Sequence, residues 1–104
     1  WRVPLSEQEL LSDLAKALQI PVILVVGVRL GCISHALLTA EAIQADGLPL
    51  AGWVANVIDP HTSRLAQNLE TLKQLMPAPC LGVVPFTQPY SAAAVAPYLQ
   101  LPPI

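Results

Sequence analysis

The sequence is poor in charged side chains. Only 12% of its 104 residues are Asp, Glu, Lys or Arg, whereas 54% are hydrophobic. The five basic residues are scattered and the formal net charge is −2, so the basic stripe that binds nucleic acid electrostatically is excluded. This composition excludes disorder and predicts that part of the surface contacts another domain or subunit. The alternative is a small domain that is simply rich in Ala and Leu.

The chain also lacks a long apolar segment. Its longest apolar run, residues 20–28, is interrupted by Pro21 and Gly27 and is far shorter than the roughly 20 residues that cross a membrane. No signal peptide is visible, the chain opens on Trp1 and its only methionine is Met76. We therefore expect a cytoplasmic protein, of which this sequence is a fragment.

Cysteine is scarce, and motifs that grip phosphate are missing. Cys32 and Cys80 do not have the spacing of metal ligands, so we expect two reduced thiols and no metal site. There is no G-x-x-x-x-G-K-[ST] loop, no G-x-G-x-x-G fingerprint and no nucleophile elbow, and neither Lys16 nor Lys73 follows a glycine. We assign no catalytic residue to this chain.

Apolar periodicity predicts alternating helices and strands. Helices are expected over residues 7–18, 34–46 and 60–76, and strands over 22–26, 50–57 and 80–84. A Ser6-x-x-Glu9 capping box would open the first helix, Gly47 would end the second, and Asp59-Pro60 would open the third.

The order of these elements predicts the fold class. Residues 22–26 are apolar on both faces, as is typical of a central strand in a parallel sheet that helices cover on both sides. The spacing indicates β-α-β-α-β with right-handed crossovers, an α/β fold. Residues 1–104 would form a single partial domain, of which 87–104 is a Pro-rich irregular tail with a short Ala-rich turn at 91–96.

Ligands of open parallel sheets bind beyond the carboxyl ends of the strands. Residues 27–35 lead a buried strand through a glycine-bearing loop into a helix N-terminus, where free amides suit a carboxylate or phosphate. The alternative is an ordinary loop with Ser34 as the N-cap. Asn56 lies at the end of the next strand. Its side-chain amide could form hydrogen bonds with the edge of a nucleotide base, or Asn56 could be an ordinary turn residue. His35 could act as a base, but a polar first-turn residue is the more ordinary interpretation. Trp53 and Phe86 favour core or interface positions.

Several segments resemble the dethiobiotin synthetase family in colinear order. They are residues 21–39, 50–56 and 77–86, and residues 1–5 are similar to the segment after the family's Glu-Gly-Ala-Gly-Gly motif. The resemblance covers residues 1 to about 86. It implies the C-terminal part of a three-layer α/β domain of the P-loop NTPase type.

The resemblance also implies an activity. The family closes the ureido ring of dethiobiotin in biotin biosynthesis, from 7,8-diaminopelargonic acid, carbon dioxide and ATP with Mg²⁺, and it works as a homodimer. The family's phosphate loop, catalytic lysines and metal-binding acids would all precede Trp1. This chain alone, without a P-loop, is therefore expected to be inactive.

The resemblance implies two groups of site residues. One is a substrate-carboxylate segment at the dimer interface, which serves the neighbouring subunit's site: Leu30, Gly31, Cys32, Ile33 and Ser34. Many members have asparagine at the last of these positions, so the amide contacts are the firmer expectation.

The second group binds ATP through its adenine. Asn56 matches the residue that reads the base, and Val57, which is aspartate in some members, would contribute only its backbone. Pro85, Phe86 and Thr87 would wall the adenine pocket. An acidic residue often follows there in the family, whereas residues 88–90 form a shortened loop here.

Two other interpretations remain open. One is a related P-loop enzyme, such as a cobyrinic acid amidating synthase or a partitioning ATPase. Residues 30–35 speak against it, because they suit a small dicarboxylate or amino-acid substrate. The other is a non-catalytic dimerisation or ligand-binding module.

Overall fold

The computed structural model describes residues 1–62, 64–88 and 90–102. Ser63, in the predicted third helix, and Pro89, Pro103 and Ile104, in the predicted tail, lie outside these ranges. The elements are α1 (Leu11–Leu18), β1 (Val22–Val28), α2 (Cys32–Ala45), β2 (Leu50–Val57), α3 (Leu65–Leu75), β3 (Cys80–Val84) and α4 (Ala92–Val95), followed by a 3₁₀ turn (Ala96–Tyr98). The strands form a parallel sheet in the order β1-β2-β3. The predicted α/β fold is confirmed.

One face of the sheet carries the larger core. Alternate side chains of β1 and β2 pack there against α2 and α3, and the buried members are Val26, Val28, Cys32, Ala36, Ala40, Trp53, Ala55, Leu72 and Met76. Trp53 is fully buried, and its indole N–H donates to the carbonyl of Ala78 (3.1 Å). It is a core residue, as predicted.

The opposite face has much less cover. Val54, Leu81 and Val84 pack there against Val95 of α4. A Cβ on Gly52 would overlap the Leu81 side chain, so glycine lets Leu81 lie directly on β2. Because α4 is a single turn, it covers only part of this face.

The sequence predicts that β1 is a central strand of its sheet. Within the described residues it lies at an edge, and β2 is in the middle. A strand that is apolar on both faces indicates that both sides of the sheet are covered. It does not indicate the position of the strand in the sheet, which depends on which strands pair. β1 also extends to Val28, two residues beyond the predicted end.

The first helix begins at Leu11 and not at residue 7. The Ser6 hydroxyl does accept the Glu9 amide (3.1 Å), but the Leu5 N–H donates to the Glu9 carbonyl (2.8 Å) and folds the segment into a loop. The Asp13 carboxylate accepts the Leu10 N–H (2.8 Å) at the true helix start. That amide, with a smaller contribution from Lys16, lowers the pKa of Asp13.

The third helix likewise starts later than predicted, at Leu65. The Asp59 side chain accepts the His61 amide (2.9 Å), and the Asp59 carbonyl accepts the Thr62 N–H (3.2 Å). These bonds close a turn, since Asp commonly binds the backbone two residues on. Asp59 and Pro60 therefore end the β2 segment without capping α3.

The first residues of the chain are tied to the end of α2. The Trp1 indole donates to Asp46 (2.7 Å), and the Arg2 guanidinium binds both carboxylate oxygens of Asp46 (2.7 and 3.0 Å). These partners, Arg2 first and then Trp1, lower the pKa of Asp46. Gly47 follows with φ +83°, in the conformation predicted for the residue that ends this helix.

The segment after β3 returns to the sheet. Ser91 caps α4 by accepting the Ala94 amide (3.1 Å), and the Gln100 N–H donates to the Leu81 carbonyl (2.8 Å). Leu99 forms an antiparallel bridge with Gly82, where a Cβ would overlap the Tyr98 carbonyl oxygen. Glycine therefore permits the close approach of this segment to β3.

Candidate functional site

The carboxyl ends of the three strands meet at one edge of the sheet. Gly27 of β1 is paired in register with Asn56 of β2, and Asn56 with Val84 of β3. The loops after these strands therefore start side by side, as the parallel topology predicts.

The loop between β1 and α2 ends on a left-handed glycine. Gly31 has φ +87° and is the N-cap of α2, which begins at Cys32, two residues earlier than predicted. Ser34 is exposed and is already the third helical residue, so the interpretation of Ser34 as N-cap is wrong. Cys32 is buried and anchors the helix start to the core.

Two amides at this helix start are free for a ligand. The Cys32 N–H donates to the Arg29 carbonyl (3.1 Å), and the His35 N–H donates to the Gly31 carbonyl (3.5 Å). The intervening amides, of Ile33 and Ser34, have no intrahelical acceptor, as at every helix N-terminus. The positive end of the helix dipole adds to their preference for an anion.

A cavity of about 620 Å³ opens beside these amides. Its lining includes the five predicted carboxylate-binding residues, Leu30 to Ser34, together with Arg29, Glu41 and Asn68. The last three were not singled out from the sequence, since their positions on a loop and on two helix surfaces carry no local motif. Leu30 is 91% exposed, so its side chain stands free in solvent at the rim.

A second cavity, of about 480 Å³, lies along the edge of β1. Gly27, Gly31, His35 and Thr39 are among its lining residues. His35 is exposed, and the carbonyl of its residue accepts the Thr39 hydroxyl (2.7 Å). The loop between β1 and α2, residues 29–31, thus lines both of these cavities.

Asn56 lies in a different cavity, of about 600 Å³, on the thinly covered face. The side chain is half-buried and shares this cavity with apolar residues of all three strands and with Tyr90. Val57 is buried, so its side chain is not available to a ligand. A polar amide in apolar surroundings is typical of sites that orient a ligand by a few hydrogen bonds.

Pro85, Phe86 and Thr87 follow β3 at the same sheet edge and are half-buried. They are not among the residues that line the cavity of Asn56 in the described part of the chain. Phe86 contacts Tyr90 edge to face, with ring centroids 6.3 Å apart. The Thr87 hydroxyl is buried, with no hydrogen-bond partner among the described residues.

Residues 1–62, 64–88 and 90–102 contain neither a metal-binding cluster nor a membrane-spanning helix. No three His, Cys, Asp or Glu side chains in these ranges lie close enough together to hold a metal ion. No helix there is both long and apolar enough to cross a bilayer. Cys32 and Cys80 are free thiols, the first buried and the second half-buried.

Residues 1–94 match the family described as AAA domain. The chain belongs to this family, which is one of P-loop NTPases, and the predicted fold type is confirmed.

Similarity to individual proteins indicates which kind of P-loop NTPase this chain resembles. The chain is 65% identical over all its 104 residues to the ATP-dependent dethiobiotin synthetase BioD of Pseudomonas aeruginosa (strain UCBPP-PA14), and 58% identical over the same length to that of Cellvibrio japonicus. It is 58% identical over 102 residues to that of Aromatoleum aromaticum, with 98% of the chain covered. The match covers 46%, 46% and 45% of these three relatives, so the chain spans a little under half of their length. The resemblance to dethiobiotin synthetase is confirmed.

Proposed function

We propose that this chain is the C-terminal part of an ATP-dependent dethiobiotin synthetase. The enzyme would form the ureido ring from 7,8-diaminopelargonic acid, carbon dioxide and ATP, in the cytoplasm, as a step of biotin biosynthesis. The observation that carries this proposal is the 65% identity along the whole chain to a protein named for that activity.

The helix start at Gly31 to Ser34 would receive the carboxylate of the diamino acid. The two free amides, the positive end of α2 and the nearby Arg29 all favour an anion there. Glu41 lines the same cavity and would exclude a second negative charge. In a homodimer, the bound carboxylate would belong to the substrate in the partner subunit's site.

The adenine of ATP would be read at the carboxyl end of β2. The Asn56 amide offers one donor and one acceptor side by side, which matches the edge of adenine. Val57 would add backbone contacts, and Pro85, Phe86 and Thr87 would wall the ring. The unpartnered Thr87 hydroxyl supports a polar contact on this side, because a buried hydroxyl without a partner is costly.

The described residues do not fit a site for the phosphates of ATP or for Mg²⁺. The sequence contains no phosphate-gripping loop, and the described residues hold no cluster of metal-ligating side chains. The reactive end of ATP would therefore be held by residues outside this chain. This chain would contribute the recognition of the adenine of ATP and of the carboxylate of the diamino acid.

A chimera tests the proposal. This chain would replace the matching 46% of the Pseudomonas aeruginosa relative, and dethiobiotin would be measured by mass spectrometry after incubation with the diamino acid, bicarbonate and MgATP. We expect ATP-dependent product, with the parent enzyme as positive control. A chimera that is folded by circular dichroism but forms no dethiobiotin would refute the assignment.

A further inference from the structure

The segment that follows β3 has no charged side chain. Lys73 is the last Asp, Glu, Lys, Arg or His of the sequence, so residues 85–102 can hold a ligand only through uncharged groups. The aromatic side chains of this segment are Phe86, Tyr90 and Tyr98. Aromatic rings bind nucleotide bases by stacking on them. Stacking is therefore the strongest contact that this segment can offer to a nucleotide.

Tyr90 borders the same cavity as Asn56. Both residues line the cavity of about 600 Å³, whereas Phe86 and Tyr98 are not among its lining residues in the described part of the chain. The chain path explains this proximity, because Val84 pairs with Asn56 in the sheet and Tyr90 follows Val84 by only six residues. The ring of Tyr90 and the amide of Asn56 therefore face one space.

The ring of Tyr90 has a face that is open to a ligand. Phe86 and Tyr90 are in contact at an interplanar angle of 82°, with ring centroids 6.3 Å apart. In an edge-to-face pair, one ring presents its edge to one face of the other. Whichever ring presents its edge, at least one face of Tyr90 is not covered by Phe86, and Tyr90 is 51% exposed. The half-buried Phe86 thus supports Tyr90 without occupying both of its faces.

The surroundings of Tyr90 suit a flat ligand with a polar edge. Tyr90 belongs to neither hydrophobic core of the described residues, so packing of the core does not account for its position. The cavity that it borders is lined mostly by apolar side chains, and the Asn56 amide is one of its few polar groups. A nucleotide base has apolar faces and hydrogen-bonding edges, and sites that orient such ligands combine apolar walls with a few polar groups.

We propose that Tyr90 stacks on the base of the bound nucleotide, beside the Asn56 amide that binds the edge of this base. Every base has a π face, so stacking raises the affinity for all nucleotides. The amide offers one donor and one acceptor, which selects adenine. Tyr90 therefore contributes affinity and Asn56 contributes selectivity. The inference rests on the proposed function, because it names a further residue of the proposed adenine site.

Two other roles of Tyr90 predict different measurements. If the phenol hydroxyl formed a hydrogen bond with the base edge, Tyr90 would discriminate between bases, because base edges differ in their donors and acceptors. If the ring only packed against Phe86, its removal would change the stability of the segment and not the affinity for any nucleotide. Stacking alone predicts an equal loss for different bases and no effect on a ligand that has no base.

Nucleotide titrations of the chimera test the role of Tyr90. ATP, GTP and inorganic triphosphate would be titrated calorimetrically without the diamino acid, with competition for the weaker ligands. Tyr90→Ala should lower the affinities for ATP and GTP by the same factor, about tenfold, and leave that for triphosphate unchanged. Tyr90→Phe, which keeps the ring, should bind as the parent does.

Two further variants serve as comparisons. Tyr90→Leu keeps an apolar side chain without a π face, so it should lose as much affinity as Tyr90→Ala and takes its place if alanine disturbs the fold. Tyr98→Ala is the matched control, since Tyr98 is a tyrosine of the same segment, is 47% exposed and does not line the cavity in the described part of the chain. It should bind all three ligands as the parent does. Circular dichroism of each variant controls for folding.

Each other outcome overturns the proposal. Unchanged ATP affinity in folded Tyr90→Ala or Tyr90→Leu excludes stacking, and a loss confined to ATP, or shared by Tyr90→Phe, assigns the effect to the hydroxyl. A loss of triphosphate affinity, or an equal loss in Tyr98→Ala, indicates a general disturbance of the segment. A chimera that makes dethiobiotin and does not need the Tyr90 ring for ATP binding contradicts this inference alone. A folded chimera that binds no ATP contradicts the proposed function, and this inference with it.

Discussion

Single side chains at the sheet edge have separable tasks in the proposed enzyme. Asn56 lies in an apolar cavity on one side of the sheet, whereas the Gly31 loop borders two other cavities. A change at one of these positions should therefore affect one ligand and spare the other.

Asn56→Ala should weaken ATP binding in the chimera that contains this chain. Loss of the hydrogen bonds that this half-buried amide makes to adenine should cost about 1–3 kcal/mol, and the affinity for the diamino acid should stay within twofold. Isothermal titration with each ligand measures both effects. Gln67→Ala, which removes an exposed amide on α3 away from these cavities, is the control. Equal ATP affinity in Asn56→Ala and the parent would remove Asn56 from the adenine site.

Gly31→Val should raise the apparent Kd for the diamino acid at least about tenfold, or roughly 1.4 kcal/mol. No atom lies within 4 Å of a Cβ built at Gly31, but its φ is +87°. The cost is therefore conformational, because a β-branched residue cannot hold the left-handed turn that presents the amides of α2. Nucleotide affinity should not change.

Gly31→Asn provides the matched comparison, since asparagine tolerates left-handed backbone far better than valine. It should retain most of the affinity for the diamino acid. If the Gly31→Val variant bound the diamino acid as tightly as the parent does, Gly31 would be only a turn residue.

At the scale of elements, the end of α2 is connected to the opening residues by side chains. Asp46 binds the indole of Trp1 and both terminal nitrogens of Arg2. The pKa of Asp46 is lowered by these hydrogen bonds, so the carboxylate stabilises the folded state when it is ionised. Its contribution is complete above the ordinary pKa of 3.8 and is lost as the pH falls through the lowered value.

Asp46→Asn should lower the thermal midpoint at pH 7 and reduce the difference in midpoint between pH 7 and pH 3. The neutral amide cannot form the charged pair with Arg2 at either pH. Differential scanning calorimetry across this pH range measures both effects. Glu41→Gln, an exposed change on the same helix, should behave as the parent does. A parent-like pH profile in Asp46→Asn would contradict a role for this contact.

At the scale of the whole molecule, residues 1–104 alone should form no dethiobiotin. Phosphoryl transfer depends on charges positioned around the transferred phosphate, and the sequence has no phosphate-gripping loop. The same mass-spectrometric assay measures this, with the chimera as positive control. Ring closure by the isolated chain would contradict the proposed division of tasks.

The strands were the most predictable elements, and the helix starts were the least. β2 and β3 match their predicted bounds, because these largely apolar runs directly follow Pro49 and Pro79 and leave few alternatives. The starts of α1 and α3 were wrong, because Ser6 and Asp59 bind nearby amides in turns as readily as they cap helices. Of the site residues, Asn56 and Gly31 could be named from the sequence, whereas Arg29 and Glu41 only become neighbours when α2 forms.

The α/β class, the order of the elements and the chemistry available at each loop could all be predicted from the sequence. These follow from local periodicity and from residue types, which act within a few positions of one another. The tertiary structure was needed to show that β2 lies between β1 and β3, that Asn56 and Tyr90 line one cavity, and that Trp1 contacts Asp46. Such contacts join residues far apart in the chain, and local pattern cannot rank one long-range pairing above another.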